Sequence, residues 1–159
     1  MSDLQSLYQS VILDHNRSPR NKRAMEGASH YAAGRNPLCG DEIGVWLKVE
    51  DGRLADVSFE GKGCAISQAS ASLMTQAVKG KSADEARVLF ERFQSLVTGR
   101  ADAAEVEPQL GRVVALSGIA RFPMRVKCAS LSWHAMHAAL RDGAVAVAVA
   151  DAAPAVSTE

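Results

Sequence analysis

Residues 43–60, IGVWLKVE-DG-RLADVSFE, carry the main signal for the fold class of this chain. Its two arms, 43–50 and 53–60, are rich in β-branched and aromatic residues, which is typical of strands. Asp51-Gly52 between the arms is the strongest short signal for a two-residue hairpin turn. The stretch therefore predicts two antiparallel strands, and a short strand near 29–33 would add a third.

Helical signals lie on both sides of this hairpin. Lys79-Gly80 is typical of a helix end, and Ser82 with Glu85 forms a capping box at the start of the next helix. The predicted helices span 3–15, 64–80, 83–96, 108–116 and about 128–143. Because the strands come first and most helices later, we expect an α+β fold. Its small antiparallel sheet of about three strands would be packed by helices on one side.

The composition is that of a globular protein, and we expect it to be cytoplasmic. The 159 residues are 47% hydrophobic and 23% charged, with 18 basic and 18 acidic residues, so no net charge favours nucleic acid or an anionic membrane. The N-terminus does not resemble a secretory signal, and the longest apolar run, 144–150, is too short to span a membrane. We expect a single domain over 1–143 and a flexible tail over 144–159.

The chain has three cysteines, Cys39, Cys64 and Cys128, an odd number, and we expect it to reside in a reducing compartment. Disulfides are then disfavoured, and metal binding or thiol chemistry gains weight over three unrelated buried thiols. Cys39 lies in a polar turn, NPLCGDE (36–42), whereas Cys64 and Cys128 are each predicted to begin a helix. A helix N-terminus favours the thiolate form.

Asp41 adds a carboxylate two residues after Cys39. Three thiolates and one carboxylate, from Cys39, Asp41, Cys64 and Cys128, make a four-coordinate set suited to zinc. Their surplus negative charge could be offset by nearby cations at Lys62, Arg125 and Lys127. Arg125 can be interpreted equally well as an ordinary surface arginine or as a cation that lowers the pKa of a nearby thiol.

The other polar residues give weaker signals. The four histidines, His15, His30, His134 and His137, show no local metal pair and are expected to be exposed or hydrogen-bonded. The serine-rich run 67–72 is expected to allow close packing of its helix on the sheet, because Ser70 has no base spaced to activate it.

Four blocks of the chain together resemble one family. LYQSVILDHNRSPRNK (7–22), NPLCGDEI (36–43), GKGCAISQASASLMTQAVKGK (61–81) and FPMRVKCASLSW (122–133) are similar to the SufU-type members of the IscU-like, or NifU N-terminal, iron–sulfur assembly proteins. The resemblance covers about residues 4 to 142. It implies an IscU-like fold with the three cysteines gathered at one end.

The resemblance also implies roles for particular residues. Cys39, Asp41, Cys64 and Cys128 match the family's metal ligands, and Arg125 matches a position that can steady Cys39. IscU scaffolds carry a histidine before the third cysteine, where this chain has Lys127. The longer segment 82–116 between the second and third cysteines also favours the SufU branch.

In that branch the implied activity is zinc-dependent sulfur transfer. Cys39 would accept persulfide sulfur from a SufS-type cysteine desulfurase, after a partner histidine frees it from zinc, and would pass the sulfur to a downstream iron–sulfur assembly scaffold. Two alternatives stay open. The same residues could hold a [2Fe–2S] cluster on a scaffold protein, or the metal could be purely structural.

Overall fold

The computed structural model describes residues 2–37 and 40–142 and has five α-helices, one 3-10 helix and three strands in this part of the chain. The predicted tail, 144–159, lies outside the described residues. The strands are β1 (His30–Asn36), β2 (Asp41–Glu50) and β3 (Arg53–Lys62). The helices are α1 (Ser2–Arg17), α2 (Ala65–Val78), α3 (Ala83–Val97), α4 (Ala103–Leu110), the 3-10 helix Gly111–Arg121, and α5 (Pro123–Asp142).

The sheet is antiparallel with strand order β1-β2-β3. Glu50 pairs with Arg53 across the predicted turn. Asp51 and Gly52 both have positive φ, 53° and 77°, which gives the turn the twist that a two-residue hairpin needs. The hairpin and the third strand are confirmed, although β1 begins and ends later than the expected 29–33.

One face of the sheet carries the core. Val45 and Leu47 on β2, and Val57 and Phe59 on β3, are fully buried, as expected for alternate residues under packed helices. Beyond the sheet, the ring of Trp133 on α5 stacks on Phe93 of α3 with centroids 4.3 Å apart. The α+β class with helices packed against a three-stranded sheet is confirmed.

Two helix boundaries differ from the sequence prediction. α5 begins at Pro123 rather than near Cys128, because proline is well suited to the first position of a helix. The segment predicted as a helix over 108–116 contains the end of α4 and the start of the 3-10 helix. A capping box between Asp102 and Glu105 starts α4 at Ala103, so this helix begins before the predicted position, Pro108.

The serine-rich run of α2 packs against α5 as well as against the sheet. Ser70 Oγ donates a hydrogen bond to the carbonyl of Ala129 at 2.6 Å, and Trp133 Nε1 donates to Ser70 Oγ at 3.2 Å. Ser70 is therefore a buried contact between two helices. No described helix combines the length and the apolar character needed to cross a bilayer.

The last turn of α1 and the segment that follows it are hydrogen-bonded to the buried face of α2. His15 is 2% exposed, and its Nδ1 lies 2.7 Å from Ser72 Oγ. The backbone N–H of Arg20 donates to the same hydroxyl at 2.8 Å, and Asn21 Nδ2 donates to Thr75 Oγ1 at 3.0 Å. His15 thus has the hydrogen-bonding role that was expected, but in the interior.

His134 on α5 lies against Phe90 of α3. The two rings meet edge to face with centroids 5.1 Å apart, and His134 Nε2 is buried with no hydrogen-bond partner among the described residues. Burial, and secondarily the neighbouring His137, lowers the pKa of His134 to about 4. The neutral imidazole is therefore the form that the folded protein accommodates.

We expect this histidine to make the protein less stable in acid. Since its pKa is about 4 when folded, against 6.5 as the reference value, the unfolded state binds more protons between these limits. The contribution of His134 to the free energy of unfolding is complete above pH 6.5, and about 2 kcal/mol of it is lost when the pH falls to 5. Urea unfolding of the wild type and His134→Phe at pH 7.5 and pH 5 measures it. The pKa values of His15 and His137 are also lowered, so the free energy of unfolding of the variant should still fall between pH 7.5 and pH 5, but by less than that of the wild type. An equal fall in both proteins would contradict the expectation.

Candidate metal centre

The start of β2, the start of α2 and the first turns of α5 meet at the end of the sheet opposite the Asp51-Gly52 turn. Asp41 is the first residue of β2 and pairs with Asn36, the last residue of β1. β3 ends beside it at Lys62, and Cys64 follows as the N-cap of α2. The first turns of α5 bring Cys128 to the same place.

The side chains of Asp41, Cys64 and Cys128 form one compact group. Their potential ligand atoms all lie within 4.8 Å of one another. Asp41 and Cys128 are buried, 1% and 6% exposed, whereas Cys64 is exposed. The structure therefore brings together three of the four predicted ligands. The fourth, Cys39, lies outside the described residues and stays a prediction.

Asp41 uses its two carboxylate oxygens differently. Oδ1 accepts a hydrogen bond from the backbone N–H of Cys64 at 3.0 Å, an N–H at the start of α2 that has no partner within the helix. Oδ2 lies 3.9 Å from Cys64 Sγ. One oxygen thus fixes the carboxylate to the helix, and the other faces the thiols as a potential ligand.

The pKa of the Cys64 thiol is lowered to about 6, chiefly by a hydrogen bond from Cys128. Backbone N–H groups of Ser67 and Ile66 act in the same direction, while burial and the Asp41 carboxylate oppose it. Cys64 is therefore largely a thiolate at neutral pH, which is the form that binds metals. Cys128 is the sixth residue of α5 and does not begin the helix, so the expectation of a helix-start thiolate at Cys128 is wrong.

Gly63 lets these groups approach one another. A Cβ added at Gly63 would lie 2.6 Å from Asp41 Oδ1 and would also collide with Ser67 Oγ. Ser67, itself buried, donates from Oγ to the Cys64 carbonyl at 3.1 Å. Sequence reasoning missed this role of Ser67 because the serine-rich run was interpreted only as helix packing. Its position three residues after a helix-start cysteine was the available signal.

The donor set fits a metal that accepts sulfur and oxygen ligands. Two thiols and a carboxylate oxygen at this spacing suit zinc, which binds S, N and O donors. They equally suit an iron–sulfur cluster, which favours thiolates. The chemistry of the donors therefore predicts a metal site without distinguishing between these two occupants.

The three predicted cations lie close to Cys64 or Cys128 along the chain. Lys62 is exposed at the end of β3, and Lys127 directly precedes Cys128. Arg125 is exposed in the first turn of α5, with its guanidinium carbon 5.0 Å from the centre of the Phe122 ring. The contact with Phe122 is not the predicted one, and the role of Arg125 toward Cys39 stays a prediction.

Comparison with known proteins agrees with this geometry. The family model for the NifU-like N-terminal domain matches residues 7–129. The chain is 42% identical to the zinc-dependent sulfurtransferase SufU of Bacillus subtilis, over 85% of this chain and 90% of that protein. It is 38% identical to the iron–sulfur cluster assembly scaffold protein IscU of Streptococcus pyogenes, over 95% and 93%.

A solved structure has the same fold. It belongs to a proposed iron–sulfur cluster assembly scaffold protein for the SUF system from Fervidobacterium islandicum. The TM-score is 0.77 at 32% identity, and the match covers 86% of this chain and 98% of that one. The relatives thus include both a sulfurtransferase and scaffold proteins, each similar over most of its length.

Proposed function

Because the chain belongs to the NifU-like N-terminal domain family, we propose that it is a zinc-dependent sulfurtransferase in iron–sulfur cluster assembly. It takes persulfide sulfur from a SufS-type cysteine desulfurase in the cytoplasm and passes it to a downstream assembly scaffold. The observation that carries this proposal is the group formed by Asp41, Cys64 and Cys128, with ligand atoms within 4.8 Å of one another. Similarity to a zinc-dependent sulfurtransferase over most of both chains supports it.

Zinc would be held by Asp41, Cys64 and Cys128, with Cys39 as the fourth ligand. Consecutive Cα atoms are about 3.8 Å apart, so covalent geometry alone keeps the Cα of Cys39 within about 8 Å of that of Asp41. The ion would supply positive charge that holds these thiols deprotonated at neutral pH. Cys39 is the ligand best suited to leave, because Gly40 beside it has a φ of 75° and no heavy atom within 4 Å of an added Cβ.

Sulfur transfer then needs only a thiolate and a persulfide. The Cys39 thiolate attacks the terminal sulfur of the desulfurase persulfide, so that a new S–S bond forms as the old one breaks. The electron pair of the broken bond stays on the desulfurase cysteine, which leaves as a thiolate. No external oxidant or reductant is required, and the product is a persulfide on Cys39.

The second candidate function is that of a scaffold for a [2Fe–2S] cluster. The similarity to a scaffold protein, 38% identical over 95% of this chain, favours it. The two thiols beside Asp41 are ligands that such clusters accept. A third possibility, a metal that only stabilises the fold, has less support because Cys64 is exposed.

Metal content together with desulfurase assays tests the assignment. We expect about one zinc per chain in protein purified without added metal, and a severalfold rise in desulfurase turnover when the protein is added. Iron with acid-labile sulfide and no rise in turnover would overturn the proposal in favour of the scaffold. Zinc whose removal unfolds the protein, again with no rise in turnover, would favour a structural ion.

A further inference from the structure

Two thiols of the candidate metal centre lie side by side. Cys64 Sγ and Cys128 Sγ are within 4.8 Å of one another, and a hydrogen bond joins the two side chains. Both are free thiols in the structure. Because the sulfurs of a disulfide are about 2.0 Å apart, this pair needs to approach by less than about 3 Å to form a bond.

The two thiols differ in their access to solvent. Cys64 is exposed, as are its neighbours over 61–65, whereas Cys128 is 6% exposed. Cys64 precedes the first residue of α2, so its side chain can change rotamer without displacing the core. In redox-sensing pairs, an accessible cysteine is oxidised first and a second cysteine beside it resolves the product. Cys64 and Cys128 have this arrangement.

Asp41 restricts the kind of oxidant that can react. Its Oδ2 lies 3.9 Å from Cys64 Sγ, so an anionic reagent that approaches this sulfur is repelled. A bulky reagent is also excluded from the buried Cys128. Oxidised glutathione is both large and negatively charged, whereas hydrogen peroxide is small and neutral. The site therefore favours small peroxides.

We propose that Cys64 and Cys128 form a reversible disulfide when a small peroxide reaches Cys64, and that this bond prevents metal binding. The pairing depends on described residues alone. Its effect on the metal rests on the donor group of the function proposed above, whichever metal that group holds. In a reducing compartment such a bond is transient and redox-sensing, and a dithiol reductant reverses it by exchange.

The oxidation takes place in two balanced steps. Cys64 sulfur attacks one peroxide oxygen, the O–O bond breaks, and a sulfenic acid forms on Cys64 as hydroxide leaves. Cys128 sulfur then attacks Cys64 sulfur, so that the S–S bond forms as the S–O bond breaks and a second hydroxide leaves. Each hydroxide takes up a thiol proton and becomes water. The two sulfurs lose two electrons, and the peroxide accepts them.

Peptide mapping of the wild-type protein tests the pairing. The three cysteines fall on separate tryptic peptides, 36–48, 63–79 and 128–141. The protein is stripped of metal with a chelator, treated with equimolar hydrogen peroxide and digested without reductant. We expect peptide 63–79 linked to 128–141 as the main product, and dithiothreitol should separate the two. A main product linked through 36–48, or a sulfinic acid on Cys64 beside a reduced Cys128, would overturn the proposal.

Variants in a Cys39→Ser background check the roles of the two thiols. With Cys128→Ser added, Cys64 lacks a resolving thiol and should become a sulfinic acid. With Cys64→Ser added instead, the buried Cys128 should react with peroxide at least roughly tenfold more slowly than Cys64 does. Equal rates would contradict the assignment of Cys64 as the first thiol oxidised. In the wild type, equal yields from oxidised glutathione and peroxide would contradict the preference for small peroxides.

Zinc affinity measures the consequence of the bond. The disulfide removes two of the three described donors, because its sulfurs are no longer thiolates. Oxidised wild-type protein should therefore bind zinc at least roughly 100-fold more weakly than reduced protein, and dithiothreitol should restore the affinity. Equal zinc affinity of both forms would show that the bond does not control the site.

These measurements keep the inference separate from the proposed function. If the linked peptides form but the protein gives no rise in desulfurase turnover, the sulfurtransferase assignment fails and the disulfide stands. If turnover rises but peroxide yields no linked peptides, only the disulfide fails.

Discussion

A Gly63→Ala variant should lose tight metal binding while keeping its fold. The added Cβ would lie 2.6 Å from Asp41 Oδ1 and would collide with Ser67 Oγ. Asp41 Oδ1 accepts from Cys64 N, so moving the carboxylate also disturbs the start of α2 and the distance from Oδ2 to the thiols. Shifts of this kind around metal ligands typically cost about 10- to 100-fold in affinity.

Competition with a chromogenic chelator measures the zinc affinity, and circular dichroism checks the fold. Gly118→Ala is the matched control, since no heavy atom lies within 4 Å of a Cβ at Gly118. It should bind zinc as the wild type does. If the Gly63 variant bound zinc as tightly as this control, the close contact at Asp41 would not determine the site.

A Cys39→Ser variant should stop accepting sulfur and still retain some metal. A serine hydroxyl is not ionised near neutral pH and cannot attack a persulfide as a thiolate does. We expect at least a 100-fold drop in transfer, on the order of losses for a removed nucleophile. Asp41, Cys64 and Cys128 would remain as three ligands, the number that catalytic zinc sites commonly have.

Mass spectrometry of the persulfidated protein locates the accepted sulfur, and zinc analysis follows the site in parallel. Cys128→Ser is the informative comparison, because Cys128 is buried and supports the low pKa of Cys64. That variant should lose zinc and transfer together. Persulfide found on Cys64 or Cys128 in the Cys39 variant, at the wild-type rate, would show that Cys39 is not the acceptor.

The sequence predicted best those features that depend on local chemistry. Asp51-Gly52 determines the hairpin because both residues tolerate positive φ, and Ser82 with Glu85 starts α3 through reciprocal hydrogen bonds. Cys64 was correctly predicted to lie at the start of α2, directly after the hairpin. In each case neighbouring residues contain the physical cause, so a short stretch of sequence is enough.

Features that depend on distant contacts were missed or misplaced. The interior position of His15 follows from Ser72, 57 residues away, and local polarity gave no hint of it. The low pKa of Cys64 comes mainly from Cys128, whereas the sequence argument assigned it to the helix dipole. The sequence allowed the convergence of Asp41, Cys64 and Cys128 only as a hypothesis, because it depends on how β2, α2 and α5 pack together.

The hydrogen bond from Cys64 N to Asp41 Oδ1 bears on how other members of the family should be interpreted. Since this oxygen satisfies the start of α2, a relative that had lost its metal would still have a structural use for an aspartate at the same position. The aspartate alone is therefore a poor marker of metal binding in such a relative. Thiols at the positions of Cys64 and Cys128 are the better diagnostic, because the thiolate is the form in which cysteine binds metals.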